Sequence, residues 1–260
     1  MSDTPVAEPE PLGDGPPQDE SAADSSGKPW SGRALTSTGF DGDVGAADAS
    51  LLAALDDPRD EILLMRAVAH ARLLVPIVAV PTEVEDSGEL KVEKFTDMAV
   101  VTLTSPDGQR GLPVFSSLAA LSAWDQTARP SPVTSSRAAQ AAVTERCDVM
   151  LLDLGSAREC VLRPSMVWAL AQQRDWLPAH TDPFVAQALS RATAEEEDVI
   201  GCVGEPDPSG AGILRVVLSL RPGLDGARVQ ALATRVGEQI ATDGEARARI
   251  DGLAFTIRRA

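Results

Sequence analysis

The chain has no tyrosine, and only five phenylalanines and four tryptophans in 260 residues. A core so poor in aromatics has to be assembled mainly from Ala, Val, Leu and Ile. The apolar fraction, 43%, is sufficient for that. Lysine is scarce too, confined to Lys28, Lys91 and Lys94, so almost all of the 23 basic residues are arginine. Positive charge is short overall: 39 Asp and Glu against 23 Lys and Arg leave a net charge of −16. A field of that sign repels polyanions, which speaks against nucleic acid and anionic membrane surfaces as partners. A partner protein remains compatible with it.

Sulfur and imidazole are equally sparse. Cys147, Cys160 and Cys202 are odd in number, widely spaced and set in apolar stretches. A disulfide framework needs a denser, even set, and a structural zinc site needs paired ligands at close spacing. The three read as small buried hydrophobes, and none precedes the arginine-bearing glycine loop that a reactive thiolate wants. The only histidines, His70 and His180, have no metal or triad motif around them. No G-x-S-x-G elbow, dinucleotide fingerprint or P-loop lysine occurs. No cofactor is expected, and an enzyme is disfavoured without being excluded. The start of the chain lacks a basic segment followed by an apolar run, and the longest apolar stretch, residues 73–80, is far too short to span a bilayer. A cytoplasmic location is the expectation, with the oligomeric state open.

Residues 1–32 hold six prolines, seven acids and one lysine. With little to bury, such a segment cannot offset its ordering entropy, and it reads as a solvated tail, for solubility or for docking. Tail and lead-in occupy 1–44. Asp48 is placed to cap a helix carrying Leu51, Leu52 and Leu55. Pro58 stands where the first turn of a second helix, with Ile62, Leu63, Met65 and Val68, tolerates it. Residues 73–80 read as a buried strand and 82–94 as a polar loop or hairpin. Strands at 97–104 and 111–115 are joined through Asp107-Gly108, a hairpin signal. Helices near 117–124 and 136–146, strands at 149–154 and 160–162, and a helix from Pro164 complete this part.

Around 177–182 the pattern breaks and a second unit begins. It reads as a helix over 183–194, strands at 199–203 and 213–220, a helix capped by Asp225, and a last strand alternating Leu253, Phe255 and Ile257. The expected class is α+β. A mixed α/β domain spans 45–181, and a small α-β-β-α-β domain with a mainly antiparallel sheet spans 182–260.

The most informative stretch is Leu112-Pro113-Val114-Phe115-Ser116-Ser117-Leu118-Ala119-Ala120-Leu121-Ser122-Ala123-Trp124, followed by Ala128-Arg129-Pro130. It reads as a strand that turns at Phe115, a serine-capped helix and a proline-stiffened exit. Two readings of Ser116 and Ser117 stand side by side. The helix N-terminus could hold an anion with help from Arg129, or the serine could simply satisfy its own helix. Trp124 is likewise either a lid on the core or a contact anchor. Phe115, Ser116, Ser117, Trp124, Arg129 and Pro130 are therefore the candidate binding residues, and no catalytic or metal-binding residue is proposed.

This order of residues resembles the N-terminal domain of the SseB-like family, named for enhanced sensitivity to serine. Leu112, Pro113, Val114, Phe115, Ser116, Leu118, Leu121, Trp124, Arg129 and Pro130 carry the resemblance, which covers about residues 45–180. The element order of 182–260 is similar to the family's C-terminal domain. The resemblance implies a cytoplasmic bacterial protein without established catalytic chemistry, working as a protein-interaction or regulatory module. The alternative is a small-ligand binder or enzyme using the helix N-terminus at Ser116 and Ser117.

Overall fold

Asp48 accepts hydrogen bonds from the amides of Ser50 and Leu51, starting α1 (Ala49–Asp56), which buries Leu51, Ala54 and Leu55 at helical spacing. The structure, a computed structural model, describes residues 39–81 and 96–259. The expectations for the acidic tail at 1–32 and for the loop at 82–94 lie outside the described residues. Residues 43–260 form one unit. Helix α2 (Glu61–His70) starts later than the sequence suggested, because Asp60 caps it through the amide of Leu63 and leaves Pro58 in the preceding turn.

Strand β1 (Arg72–Pro81) pairs antiparallel with β2 (Thr96–Val100). The single strand expected at 97–104 is two: β2 lies on β1, whereas β3 (Leu103–Thr104) pairs with β4 (Arg110–Val114). The chain changes sheets between them. Gly108 supplies the positive φ of +90° that the hairpin between β3 and β4 requires. Helix α3 (Leu118–Trp124) follows, and then β5 (Arg129–Thr134), which pairs antiparallel with β1. The proline-stiffened segment is thus itself a strand. It completes a sheet of order β2-β1-β5.

Helix α4 (Ser135–Thr144), capped by Thr134, leads to β6 (Val149–Leu152), parallel to β4, and β7 (Cys160–Leu162), antiparallel to β6. With α5 (Pro164–Ala171) these elements enclose the first apolar core, which runs from Leu51 to Trp176. An antiparallel bridge between Leu74 and Phe115 ties the first sheet to the second.

The second core is built on α6 (Pro183–Thr193), capped by Asp182, with β8 (Val199–Pro206), β9 (Ile213–Leu220), α7 (Gly226–Thr242), α8 (Gly244–Arg249) and β10 (Gly252–Arg259). Its sheet has the order β10-β9-β8, with β8 antiparallel and β10 parallel to β9. Leu214, Val216 and Leu218 meet Leu232, Val236 and Ile240 of α7 in this core. Helix α8, which the sequence pattern does not predict, is a six-residue helix capped by Asp243 through the amides of Glu245 and Ala246. Of the seven strand pairings among the described residues, only β4–β6 and β9–β10 are parallel. The fold is α+β.

Candidate functional site

The six residues singled out in the sequence lie around the end of β4, but they do not converge on one surface. Phe115 is fully buried, stacked at 5.2 Å on Trp124 and packed with Leu74 and Leu121. Ser116 is buried as well. Its amide and its hydroxyl each donate to Asp153, both at 2.7 Å. Ser117 is the N-cap of α3, and its hydroxyl accepts from the amide of Ala120 at 3.1 Å. Trp124 is half-buried. Arg129 and Pro130 are exposed on β5, paired through the backbone with Ile77 and Pro76.

Asp153 was not singled out in the sequence. It follows β6, is buried, and adopts a left-handed backbone at φ +51°, a conformation in which Asp is tolerated better than most residues. Its two carboxylate oxygens are engaged by Ser116, one by the amide and one by the hydroxyl, and its own amide donates to the carbonyl of Val114. Asp153 therefore joins the ends of the parallel strands β4 and β6. Arg72 serves the same region. It donates to the carbonyls of Ser116 and Ala46 and forms an ion pair with Asp43 at 2.6 Å.

A second polar cluster spans the two cores. Arg163 donates to both oxygens of Glu61 and to Asp251, and Asp251 in turn accepts from the amide and hydroxyl of Ser165. The indole N–H of Trp176 donates to that same hydroxyl at 3.0 Å. Gly212, at φ +83°, lies so close that a Cβ there would stand 2.5 Å from Nε of Arg163. Arg249 lies between the rings of Trp168 and Phe184 and pairs with Asp182 at 3.2 Å. A small cleft of about 250 Å³ opens beside this network and is lined by His180. His180 is exposed, as is His70, whose Nδ1 lies 2.8 Å from the carbonyl of Arg66.

Burial pushes the thiols of Cys147, Cys160 and Cys202 up, Cys202 to about 11. A thiol so shifted is protonated at neutral pH and is a poor nucleophile. Among the described residues no group of His, Cys, Asp or Glu could hold a metal ion, and no helix is long and apolar enough to cross a membrane.

A wide concavity lies in the second core, away from all six predicted residues. It is an open hollow of about 1090 Å³ between the first turns of α7 and the ends of β9 and β10. Leu224, Val229, Phe255 and Ile257 give it an apolar lining, with Arg221 and Asp225 its charged groups among the described residues. Asp225 is occupied in capping α7 through the amide of Arg228, whereas the Arg221 side chain has no partner among the described residues. A smaller hollow of about 390 Å³, lined by Ile240, Ile250 and Leu253, lies beside the start of β10.

Both hollows adjoin β10, which is paired with β9 over all eight residues and unpaired on its other side among the described residues. Register puts Leu253, Phe255 and Ile257 on the helix-covered face with Leu214, Val216 and Leu218. Leu253 and Ile257 nevertheless remain 37% exposed, because α7 does not cover the edge. The signal for this site was present in the sequence: an alternating apolar strand with no proline, followed by arginine. Alternation alone marks a buried face and does not mark an open edge.

Residues 49–169 match the family model described as the SseB protein N-terminal domain. No curated protein and no solved structure matches the chain.

Proposed function

Given that residues 49–169 of this chain belong to the SseB N-terminal domain family, we propose that the protein works by binding another polypeptide, in the cytoplasm, and not by catalysis. In this reading 45–181 is the SseB N-terminal domain and 182–260 a C-terminal domain of the same family, behind an acidic tail. The contact surface is the free edge of β10 with the hollow under α7.

One observation carries the proposal. A long, flat, apolar strand edge is a template for another chain, and proteins normally shorten, charge, kink or cover such edges. The other edges are shorter or interrupted. Strands β2, β3 and β7 have five, two and three residues, β5 carries Pro130 and Pro132, and β8 has a register shift at Val199–Gly201 and ends in Pro206. Strand β10 has eight residues, no proline and no register shift, with Arg258 near its end. The adjoining hollow offers apolar lining and the Arg221 side chain, which has no partner among the described residues, a recognition chemistry and not a catalytic one.

The test is site-specific photo-crosslinking in the native cytoplasm. A photoreactive residue at Ile257 should give a protein–protein adduct, and the same residue at Leu63, exposed on α2, should not. Adducts from position 63 with none from 257 would overturn the reading.

A further inference from the structure

Strand β10 is complementary to itself, and we infer that the polypeptide it binds is a second copy of this chain, its β10 antiparallel and in register on Phe255. The inference rests on the proposal that this edge is the contact surface.

Antiparallel strands related by a two-fold axis pair residue i with residue j such that i + j is constant. Centred on Phe255, the axis sets Phe255 against itself, Leu253 against Ile257, Ala254 against Thr256, and Gly252 against Arg258. The three apolar pairs share the face that α7 partly covers, so each half-exposed Leu253 or Ile257 meets an apolar neighbour. On the opposite face Arg258 meets Gly252, which offers room for a long side chain. Moving the axis one residue towards the C-terminus would set Leu253 against Arg259, and one residue towards the N-terminus would set Ile257 against Asp251. The hollows agree with this register: the large one beside Ile257 would abut the small one beside the partner's Leu253.

Charge selects the antiparallel direction. The end of β10 carries Arg258, which pairs with Glu205 of β8 at 3.7 Å, and beside it Arg221, which follows the β9 residue paired with the last residue of β10. The start of β10 follows Asp251, which shares Arg163 with Glu61, while Arg247 lines the adjoining hollow. Parallel pairing would stack the two arginine ends. Antiparallel pairing separates them by the strand's length. The charge of −16 on each copy opposes association, but charges distant from the contact are screened beyond about 8 Å at physiological ionic strength.

Three measurements test this. Sedimentation of the intact chain at about 100 μM, far above the Kd of an ordinary stable dimer, should show a dimer. Ile257→Lys should make it monomeric with its circular dichroism unchanged. For register, chains carrying Ala254→Cys and chains carrying Thr256→Cys are mixed under mild oxidation. Directly opposed residues lie about 4.5–5.5 Å apart at Cα, within disulfide reach. The mixture should give a disulfide-linked heterodimer, and neither variant alone should link. A monomeric wild type, a dimer that survives Ile257→Lys, or linkage of either variant to itself would overturn the inference. If position 257 photo-crosslinks to a different protein while the purified chain is monomeric, the binding surface stands and the second copy falls. If position 257 gives no adduct, both fall.

Discussion

Strand β5 closes its sheet with Arg129, Pro130, Ser131 and Pro132, whereas β10 closes its sheet with Leu253, Phe255 and Ile257. Both are edges, and the chemistry of each determines what can come next. Proline has no N–H to offer an incoming strand, so β5 is closed to extension by two of its six residues. Strand β10 keeps every N–H and exposes apolar side chains. The same contrast holds for the surroundings. Near β5 the polar groups of Ser116, Asp153, Ser117 and Arg72 are engaged within the protein. Near β10, the Arg221 side chain is engaged by none of the described residues. A cluster of chemically suggestive residues in sequence can be a finished joint, while a plain alternating strand is the unfinished surface.

The sharpest way to break this comparison is at Phe115. If it belongs to a joint, Phe115→Ala removes a fully buried ring from the contact between the two N-terminal sheets and should cost about 3–5 kcal/mol in denaturant unfolding. A loss below 1 kcal/mol would mean that the ring is dispensable scaffolding and that the contrast with β10 is overdrawn. Next comes Ser116→Ala. It leaves one oxygen of the buried Asp153 carboxylate without its hydroxyl donor, an expected loss of about 1–3 kcal/mol. Unchanged stability would imply that water or another donor can reach Asp153, and hence that the joint is open.

Much of this fold was legible from local chemistry. Asp48 and Asp225 cap the helices assigned to them, and one of the two candidate serines, Ser117, caps α3, since an N-cap is a short-range event. The strands at 213–220 and 160–162 also match, because their apolar patterns and bounding turns are local. What escaped was relational. Residues 97–104 look like one strand, and only pairing with different neighbours divides them. Asp153 acquires its role from Ser116, 37 residues away. Arg163 acquires its own from Glu61 and Asp251, 102 and 88 residues away. The binding edge is the clearest case. The alternation of Leu253, Phe255 and Ile257 reveals a strand with one apolar face, but not that the strand is last in its sheet.

A pH dependence extends the comparison to the second core. Cys202, on β8, packs against that core, and burial pushes its thiol up to about 11, above the value of about 8.5 for a free cysteine. The unfolded chain therefore loses this proton first. Across that interval the folded state binds more protons than the unfolded one, so stability falls as pH rises from about 8.5 towards 11. Cys202→Ser lacks a thiol that titrates there and should flatten this part of the stability–pH curve. A curve with the same slope in both proteins would assign the loss to other groups. Thiol labelling of native protein near pH 8 should be slow at all three cysteines, and fast labelling of Cys202 would show that the β8 side of the sheet opens readily.

The smallest effects on folding are the most discriminating between the two edges. Arg129→Ala on β5 and Leu253→Lys on β10 both alter exposed positions, and each should change stability by no more than about 0.5 kcal/mol at a dilution where the wild type is monomeric. The dilution matters because association adds to apparent stability by mass action. At higher concentration the two variants should separate. Arg129→Ala should keep the wild-type dimer and a midpoint that rises with concentration. Leu253→Lys puts a charge against Ile257 of the other copy, so it should abolish the dimer and leave a concentration-independent midpoint. If Arg129→Ala instead dissolved the association while Leu253→Lys spared it, the edge with two prolines would be the working surface after all. The lesson drawn from β10 would then be reversed.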